Sequence, residues 1–388
     1  MQNRPEHHCI SLHALKEAGI KTSVKGTILD RLYALDHAPI DFHFRQNAND
    51  FVVKEIPLYE FSGDGEHLVL HIRKKNLSTF EMVGAIARYL GIKQKEIGYA
   101  GLKDKHALTY QYISLPRKYE DRMKSFEHPN IKILESTYHN NKIRMGHLKG
   151  NRFFIRVKKI SPTSAVKINE ALGTIKQMGM PNFFGYQRFG NDGNNHIQGE
   201  KIAKGEAREK NPRVKKLLIN AYQSHLFNLW LSRRLEINSL VNSFELPELE
   251  TLLNMPNELV KKMKAQSHPF KLIEGDVMEH YPHGRLFEFE GSEEDLERFN
   301  TRDITVTGLL CGKKVKHASL VAREIEKDFD DTINADGARR YAWVYPTDIE
   351  GKFNAIEAQY EMHFTLPKGA YATVLIEEIA KRKIQEGK

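Results

Sequence analysis

Cysteine is almost missing from this chain. The two that occur, Cys9 and Cys311, cannot build a disulfide framework, which sets aside the small disulfide-stapled secreted scaffolds. Long apolar runs are missing as well. No stretch approaches the roughly 20 residues that a membrane-spanning helix requires, and residues 1–26 have no apolar core of the signal-peptide kind. That polar, histidine-bearing terminus reads as a poorly ordered extension. A soluble cytoplasmic protein, monomeric and with no membrane partner, is the expectation. Nucleotide-binding motifs are lacking too. Gly308-Leu-Leu-Cys-Gly-Lys-Lys314 has one residue too few between its glycines for a phosphate loop, and lysine where Ser or Thr would reach a metal. No G-x-G-x-x-G follows a strand. His280 and His283, and His7-His8-Cys9, do not have the paired spacing of a zinc site. No metal, nucleotide or other cofactor is therefore expected.

Positive charge is what the chain has in excess. Its 388 residues, enough for two or three domains, carry 59 Lys+Arg against 50 Asp+Glu, a net charge of +9. The excess is clustered in Arg73-Lys-Lys75, in Lys142 to Lys149, in Arg152 to Lys159 and in Lys313-Lys-Val-Lys316. Acidic residues concentrate elsewhere, at Glu293 to Glu297 and Asp328 to Asp331. Clustered cations of this kind suit a phosphate-binding face.

Hydrophobic periodicity outlines the elements. Leu68, Leu70 and Ile72 alternate with polar neighbours as a half-buried strand. The turn Ser62-Gly-Asp-Gly65 before them suggests a hairpin over residues 51–74. Ser78-Thr-Phe-Glu81 is a capping-box pattern. It opens a helix with Phe80, Val83, Ala87 and Leu90 on its apolar face, and Gly91 as its stop. Further strands are expected at Tyr110 to Leu115, around Phe153, Ile155 and Val157 with a basic opposite face, and over Tyr360, Met362, Phe364 and Leu366. Helices are expected from about Ser164 to Met178, over residues 213–236, and after Pro367-Lys-Gly369.

Two segments carry candidate chemistry. Gly98-Tyr-Ala-Gly-Leu-Lys-Asp-Lys-His-Ala107 sets the carboxylate of Asp104 between Lys103 and Lys105. Two adjacent cations hold an aspartate ionised, and they offer charge to a polyanion. The loop on its own is equally well a salt-bridged turn. Asn182-Phe-Phe-Gly-Tyr-Gln-Arg-Phe-Gly190 is aromatic and basic. In extended backbone Asn182, Phe184, Tyr186 and Arg188 would share one face, a platform on which an unstacked base gains roughly 1–3 kcal/mol. A buried aromatic turn would use Phe183 or Phe189 instead.

The loop Tyr99 to Ala107 resembles the signature of the tRNA pseudouridine synthase D (TruD) family, and so does Asn182 to Gly190. Asn49-Asp-Phe-Val-Val-Lys-Glu55 with Gly65-Glu-His67 is similar to that family as well. So are Leu148-Lys-Gly-Asn151, Tyr222-Gln-Ser-His-Leu-Phe-Asn228 and Leu366-Pro-Lys-Gly-Ala-Tyr-Ala-Thr373. The six blocks stand in family order over about residues 40 to 380. The resemblance implies an RNA-modifying isomerase that converts uridine to pseudouridine, usually at position thirteen of certain tRNAs. It implies an α+β fold: a pseudouridine-synthase catalytic domain with a mixed, largely antiparallel sheet and a central cleft, interrupted by an inserted α/β domain. The expected boundaries are an extension over 1–26, the catalytic domain over 27–204 and 337–388, and the insert over 205–336.

Carried over motif by motif, Asp104 is the implied nucleophile. Phe184 packs against the target base and Asn182 orients the site. Phe51 and Tyr371 are the implied aromatic lining, and Arg45 is the basic residue near the aspartate. Lys103 and Lys105 would meet phosphates or the loop backbone, and Arg188 would stand beside the base. Two alternatives belong to other classes. One is a non-catalytic structured-RNA binder of the same fold. The other is a nucleoside hydrolase, which would release free base.

Overall fold

In the computed structural model the described residues are 31–44, 47–190, 192–253 and 255–384. The N-terminal extension and Arg45 lie outside them. The first run of elements is β1 (Phe51–Pro57), β2 (His67–Lys75), α1 (Thr79–Leu90), β3 (Gly98–Tyr99), β4 (Leu108–Pro116), α2 (Glu120–Lys124), β5 (Ile131–His139), β6 (Leu148–Lys158) and α3 (Pro162–Met178). Then come β7 (Met180–Pro181), α4 (Asn195–Ala203), a long α5 (Pro212–Ser243), α6 (Leu246–Leu253), α7 (Asn257–Ala265), β8 (Val277–His280) and β9 (Leu286–Glu288). They are followed by α8 (Glu293–Asn300), β10 (Ile304–Leu310), α9 (Leu320–Glu326), β11 (Ala338–Tyr341) and β12 (Trp343–Val344). The chain closes on β13 (Thr347–Asn354), β14 (Gln359–Pro367) and α10 (Ala372–Ala380).

These elements form two compact units, one of residues 37–179 with 345–384 and one of 31–36 with 180–344. The first, called the sheet unit below, holds an eight-stranded sheet in the order β13-β14-β6-β1-β4-β2-β5, with β3 added to β4. Its pairing of β1 with β4 is parallel, and the others are antiparallel. The sheet is thus mixed and largely antiparallel. The hairpin expected over 51–74 does not form. β1 and β2 are both strands, but β4 lies between them and pairs with each.

Local signals act as expected at α1. Ser78 and Glu81 cap each other's backbone N–H groups, and Gly91 closes the helix at φ 67°. Met82, Val83, Ile86, Ala87 and Leu90 bury the apolar side against Leu68, Leu70, Ile72, Ile113 and Leu115. Phe80 is the exception. It stands on the first turn, edge-on to Tyr99 of β3 at 6.3 Å, and is 56% exposed. At the other end of the sheet Tyr360, Met362, Phe364 and Leu366 alternate inward and are fully buried. Phe364 stacks on Phe153 of β6 at 5.4 Å.

The second unit extends beyond the expected insert of 205–336 at both ends. Trp343 and Val344 of β12 pair with Pro181 and Met180 of β7, a ribbon that closes the unit. The segment after Pro181 is no linker. Asn228 of α5 accepts the Phe184 N–H and donates to the Phe184 carbonyl. Gly199 of α4 lies so close to α5 that a Cβ there would come within 2.0 Å of the Leu218 carbonyl oxygen. Buried Arg234 of α5 forms a bidentate pair with Asp276 at 2.5 and 2.9 Å. That pair anchors α5 beside the four-stranded sheet β11-β10-β8-β9. Among the described residues no helix is long and apolar enough to cross a membrane.

Candidate active site

The Asp104 loop occupies a fork in the sheet. β1 and the parallel β4 pair over Val52–Lys54 and Leu108–Tyr110. Beyond that point the carboxylate of Glu55, in place of a backbone carbonyl, accepts the Tyr112 N–H at 3.2 Å. The other oxygen of Glu55 takes Lys103 Nζ at 2.5 Å, with both side chains almost wholly buried. A second support comes from α1. Thr79 Oγ1 accepts the Lys103 N–H at 2.9 Å and donates to Gln111 Oε1 at 3.1 Å. The strand leading into the loop is pinned by Gly98, where a Cβ would lie 2.2 Å from the Ile143 carbonyl oxygen. Held this way, Asp104 is half-exposed.

The charges around Asp104 differ from the expectation. Lys103 is 7% exposed and paired with Glu55. Lys105 is exposed and paired at 2.7 Å with Glu81 of the capping box. That bond, with those from Ser78, lowers the Glu81 pKa to about 2. Each flanking lysine has a glutamate partner, Lys103 in the interior and Lys105 at the exposed rim. A further cation that meets Asp104 is Lys74, fully buried although Arg73 and Lys75 beside it are exposed. Its Nζ donates to the Leu77 carbonyl at 2.5 Å and to the Asp104 carbonyl at 3.2 Å. Burial lowers its pKa to about 8, and the charge of Asp104 opposes that fall. In the sequence Lys74 reads as the middle of a basic surface run. Only its inward register on β2, across from Thr109, sets it apart from that surface.

The expected aromatic lining divides. Phe51 is 1% exposed, with its ring packed at 6.3 Å from Phe44 and 6.2 Å from Phe153. It is core in this conformation and offers no open face, since β1 points it to the same side as Val53. Tyr371 is half-buried and stands at the N-cap of α10.

The second unit carries its own cluster. The shared extended face expected for Asn182, Phe184, Tyr186 and Arg188 is not formed, since Tyr186–Phe189 is a 3-10 turn. The turn still brings the Arg188 guanidinium over the Phe184 ring at 5.4 Å, while its Nε donates to Ser224. Arg340, unsuspected in the sequence, lies over the same ring at 3.8 Å. Asn182 is buried and orients it. Its carbonyl and its Oδ1 each accept from Arg340 Nη2 at 3.0 Å, and its Nδ2 donates to the Tyr341 carbonyl. Phe183 is the buried core aromatic.

A basic row crosses the sheet on the face opposite Lys74. Register places Arg152 of β6, Lys54 of β1, Tyr110 of β4, Arg73 of β2 and Lys132 of β5 side by side, and directly paired residues share a face. The four cations are exposed. Lys54 lies 5.5 Å from the centre of the Tyr110 ring. Arg156 and Lys158, in the same basic strand, are instead drawn to buried Asp50 at 3.1 and 2.6 Å. Among the described residues no group of three or more His, Cys, Asp or Glu side chains is placed to hold a metal ion.

Comparison with known proteins bears on the chain as a whole. The family model described as tRNA pseudouridine synthase D (TruD) matches residues 28–213. A tRNA pseudouridine synthase D of Sulfurimonas denitrificans is 69% identical over 356 residues, 92% of this chain and 100% of that protein. One from Nitratiruptor is 55% identical over 358 residues, 92% of this chain and 99% of that protein. The crystal structure of the Methanosarcina mazei protein assigned to tRNA pseudouridine synthase D superposes with a TM-score of 0.60. It covers 91% of this chain and 96% of its own at 23% identity, a likeness of fold.

The fork makes the Lys103–Glu55 pair a stability determinant. Removing one partner of a buried pair leaves an uncompensated charge, at a cost of about 3–5 kcal/mol. Lys103→Met is expected to lose about that much in urea unfolding. Adding Glu55→Gln, which keeps an acceptor for the Tyr112 N–H, should restore most of it. A single variant as stable as the parent would contradict this account of the fork.

Proposed function

The chain belongs to the tRNA pseudouridine synthase D (TruD) family, and from that premise we propose that it isomerises a uridine of tRNA to pseudouridine with Asp104 as nucleophile. The observation that carries this reading is the placement of Asp104. It is half-exposed beside buried Lys103, on a loop tied down by hydrogen bonds from Lys74, Thr79 and Glu55. A carboxylate that only closed a turn would have no need of such support. The family pattern gives position thirteen as the target.

The reaction breaks the C1′–N1 bond, turns the uracil and joins C1′ to C5. It is redox-neutral and takes no group from outside. The base must first leave its stack, at a cost of a few kcal/mol that contacts in the protein offset. Asp104 then attacks C6 of the uracil or C1′ of the ribose, or promotes a glycal. In the covalent routes one hard step is divided into two easier ones. Tyr371 is proposed as an aromatic contact for the base, with Phe51 as the packed wall behind the strand. On the family pattern Phe184 and Asn182 also serve base recognition, with Arg340 and Arg188 holding the Phe184 ring.

The row Arg152, Lys54, Arg73 and Lys132 is proposed as the phosphate-binding surface. Its Tyr110 stands two residues from Leu108, where the Asp104 loop rejoins β4. Cations in one cross-strand line match a polyanion better than the same number scattered.

Two outcomes are expected. With a tRNA transcript carrying tritium at uracil C5, Asp104→Asn should release tritium at least about a thousandfold more slowly than the parent, at similar tRNA affinity. Full activity would refute the assignment. Free uracil would point to hydrolysis, and binding without tritium release by the parent to an RNA-binding protein. Reversing the charge of Arg73 and Arg152 should weaken tRNA binding and reduce the salt slope by about one for each phosphate no longer neutralised. An unchanged slope would move the RNA surface elsewhere.

A further inference from the structure

We propose that Lys74 is a positioning residue for the reaction, its buried ammonium fixing the main chain of Asp104 so that the carboxylate stands ready for the substrate. The inference rests on the reading of Asp104 as nucleophile and adds a residue that acts through it.

Geometry is the first argument. Lys74 Nζ ties together two points distant in sequence, the Leu77 carbonyl where the chain turns from β2 into α1, and the carbonyl of Asp104 itself. The loop leaves the sheet after Tyr99 and returns at Leu108. The bond to residue 104 reaches the main chain that carries the reacting carboxylate. The second argument is cost. A fully buried lysine destabilises a fold unless its charge is used, since desolvation disfavours the ammonium. An apolar side chain of equal length would fill the same space without that cost.

The charges facing Lys74 are few. Asp104 and Glu81 favour its ammonium, and Lys103 opposes it. The strands on either side set Thr109 and Ile131 across from it, and neither titrates. The balance brings its pKa from 10.5 down to about 8. Two opposite pH dependences follow. Above about pH 8 the charge of Lys74 is lost in the folded protein and its tie to the Asp104 carbonyl weakens, so turnover falls. Over the same range the unfolded lysine still holds its proton. The unfolded state then binds more protons than the folded one, and the contribution of Lys74 to stability rises with pH. A lysine needed only for packing would give the second dependence without the first.

The test uses the full chain and the C5-tritiated tRNA transcript under single-turnover, saturating conditions from about pH 6.5 to 9.5, with urea unfolding at each pH. The parent rate is expected to fall above about pH 8. Lys74→Met should be at least about tenfold slower near pH 7, with tRNA affinity within about twofold of the parent, and should lack that limb. Lys74→Arg, whose guanidinium stays charged throughout, should keep its rate to higher pH than the parent, and decides the matter if Lys74→Met does not fold. A Lys74→Met rate equal to the parent's would overturn the inference, as would a limb near pH 8 that persists in both variants. Asp104→Asn run alongside separates the two readings. Activity in that variant sinks the nucleophile assignment, whereas an inactive Asp104→Asn beside a fully active Lys74→Met sinks only the role of Lys74.

Discussion

The fork between β1 and β4 is the constraint on which the site depends. Two parallel strands that pair over three residues and then separate leave backbone groups that need partners inside the sheet, and buried backbone groups are rarely left unmade. Glu55 fills that need with one oxygen and holds Lys103 with the other. The fork is therefore an anchor for the loop that follows β3. Anchoring residue 103 in the protein interior presents residue 104 at the surface. A wholly antiparallel arrangement, with β1 and β2 as a hairpin, would have no such opening.

Around this anchor the charges are arranged in tiers. Glu55 and Lys103 neutralise each other in the interior, Glu81 and Lys105 do so at the rim, and buried Lys74 holds the Asp104 carbonyl. The opposite face of the sheet carries the exposed cations Arg152, Lys54, Arg73 and Lys132, of which Arg152 meets Asp348 at 3.8 Å. One strand, β2, serves both purposes by alternation: Arg73 and Lys75 point outward and Lys74 inward. In Arg73-Lys-Lys75 a uniform charge run conceals residues on opposite faces of the sheet.

Much of the fold is legible in the residues themselves. The capping box of α1, its glycine stop at Gly91, and the alternation in β6 and β14 are local signals, and local structure follows them. Asp104 is recognisable through its motif and lies where a reactive group can be reached. What cannot be read is set by distant partners. Lys103 finds Glu55 48 residues away, and Arg340 finds Asn182 across 158. No spacing rule reports either. The hairpin expected over 51–74 fails because turn residues indicate that a chain reverses, not which strand comes to lie beside it. Phe51 reads as pocket lining from its motif, yet its place on the inward side of β1 makes it core. The platform expected at Asn182 to Arg188 assumes extended backbone, and a 3-10 turn supplies the contact between Phe184 and Arg188 by another route.

If the fork and its supports exist to position one carboxylate, then location matters as much as charge. The most direct test is Asp104→Glu, which keeps the charge and moves it outward by one methylene. Displacements of about an ångström cost on the order of a hundredfold in oriented reactions. The account predicts a single-turnover rate of tritium release at least about a hundredfold below the parent's, with tRNA binding intact. A glutamate variant as fast as the parent would contradict it.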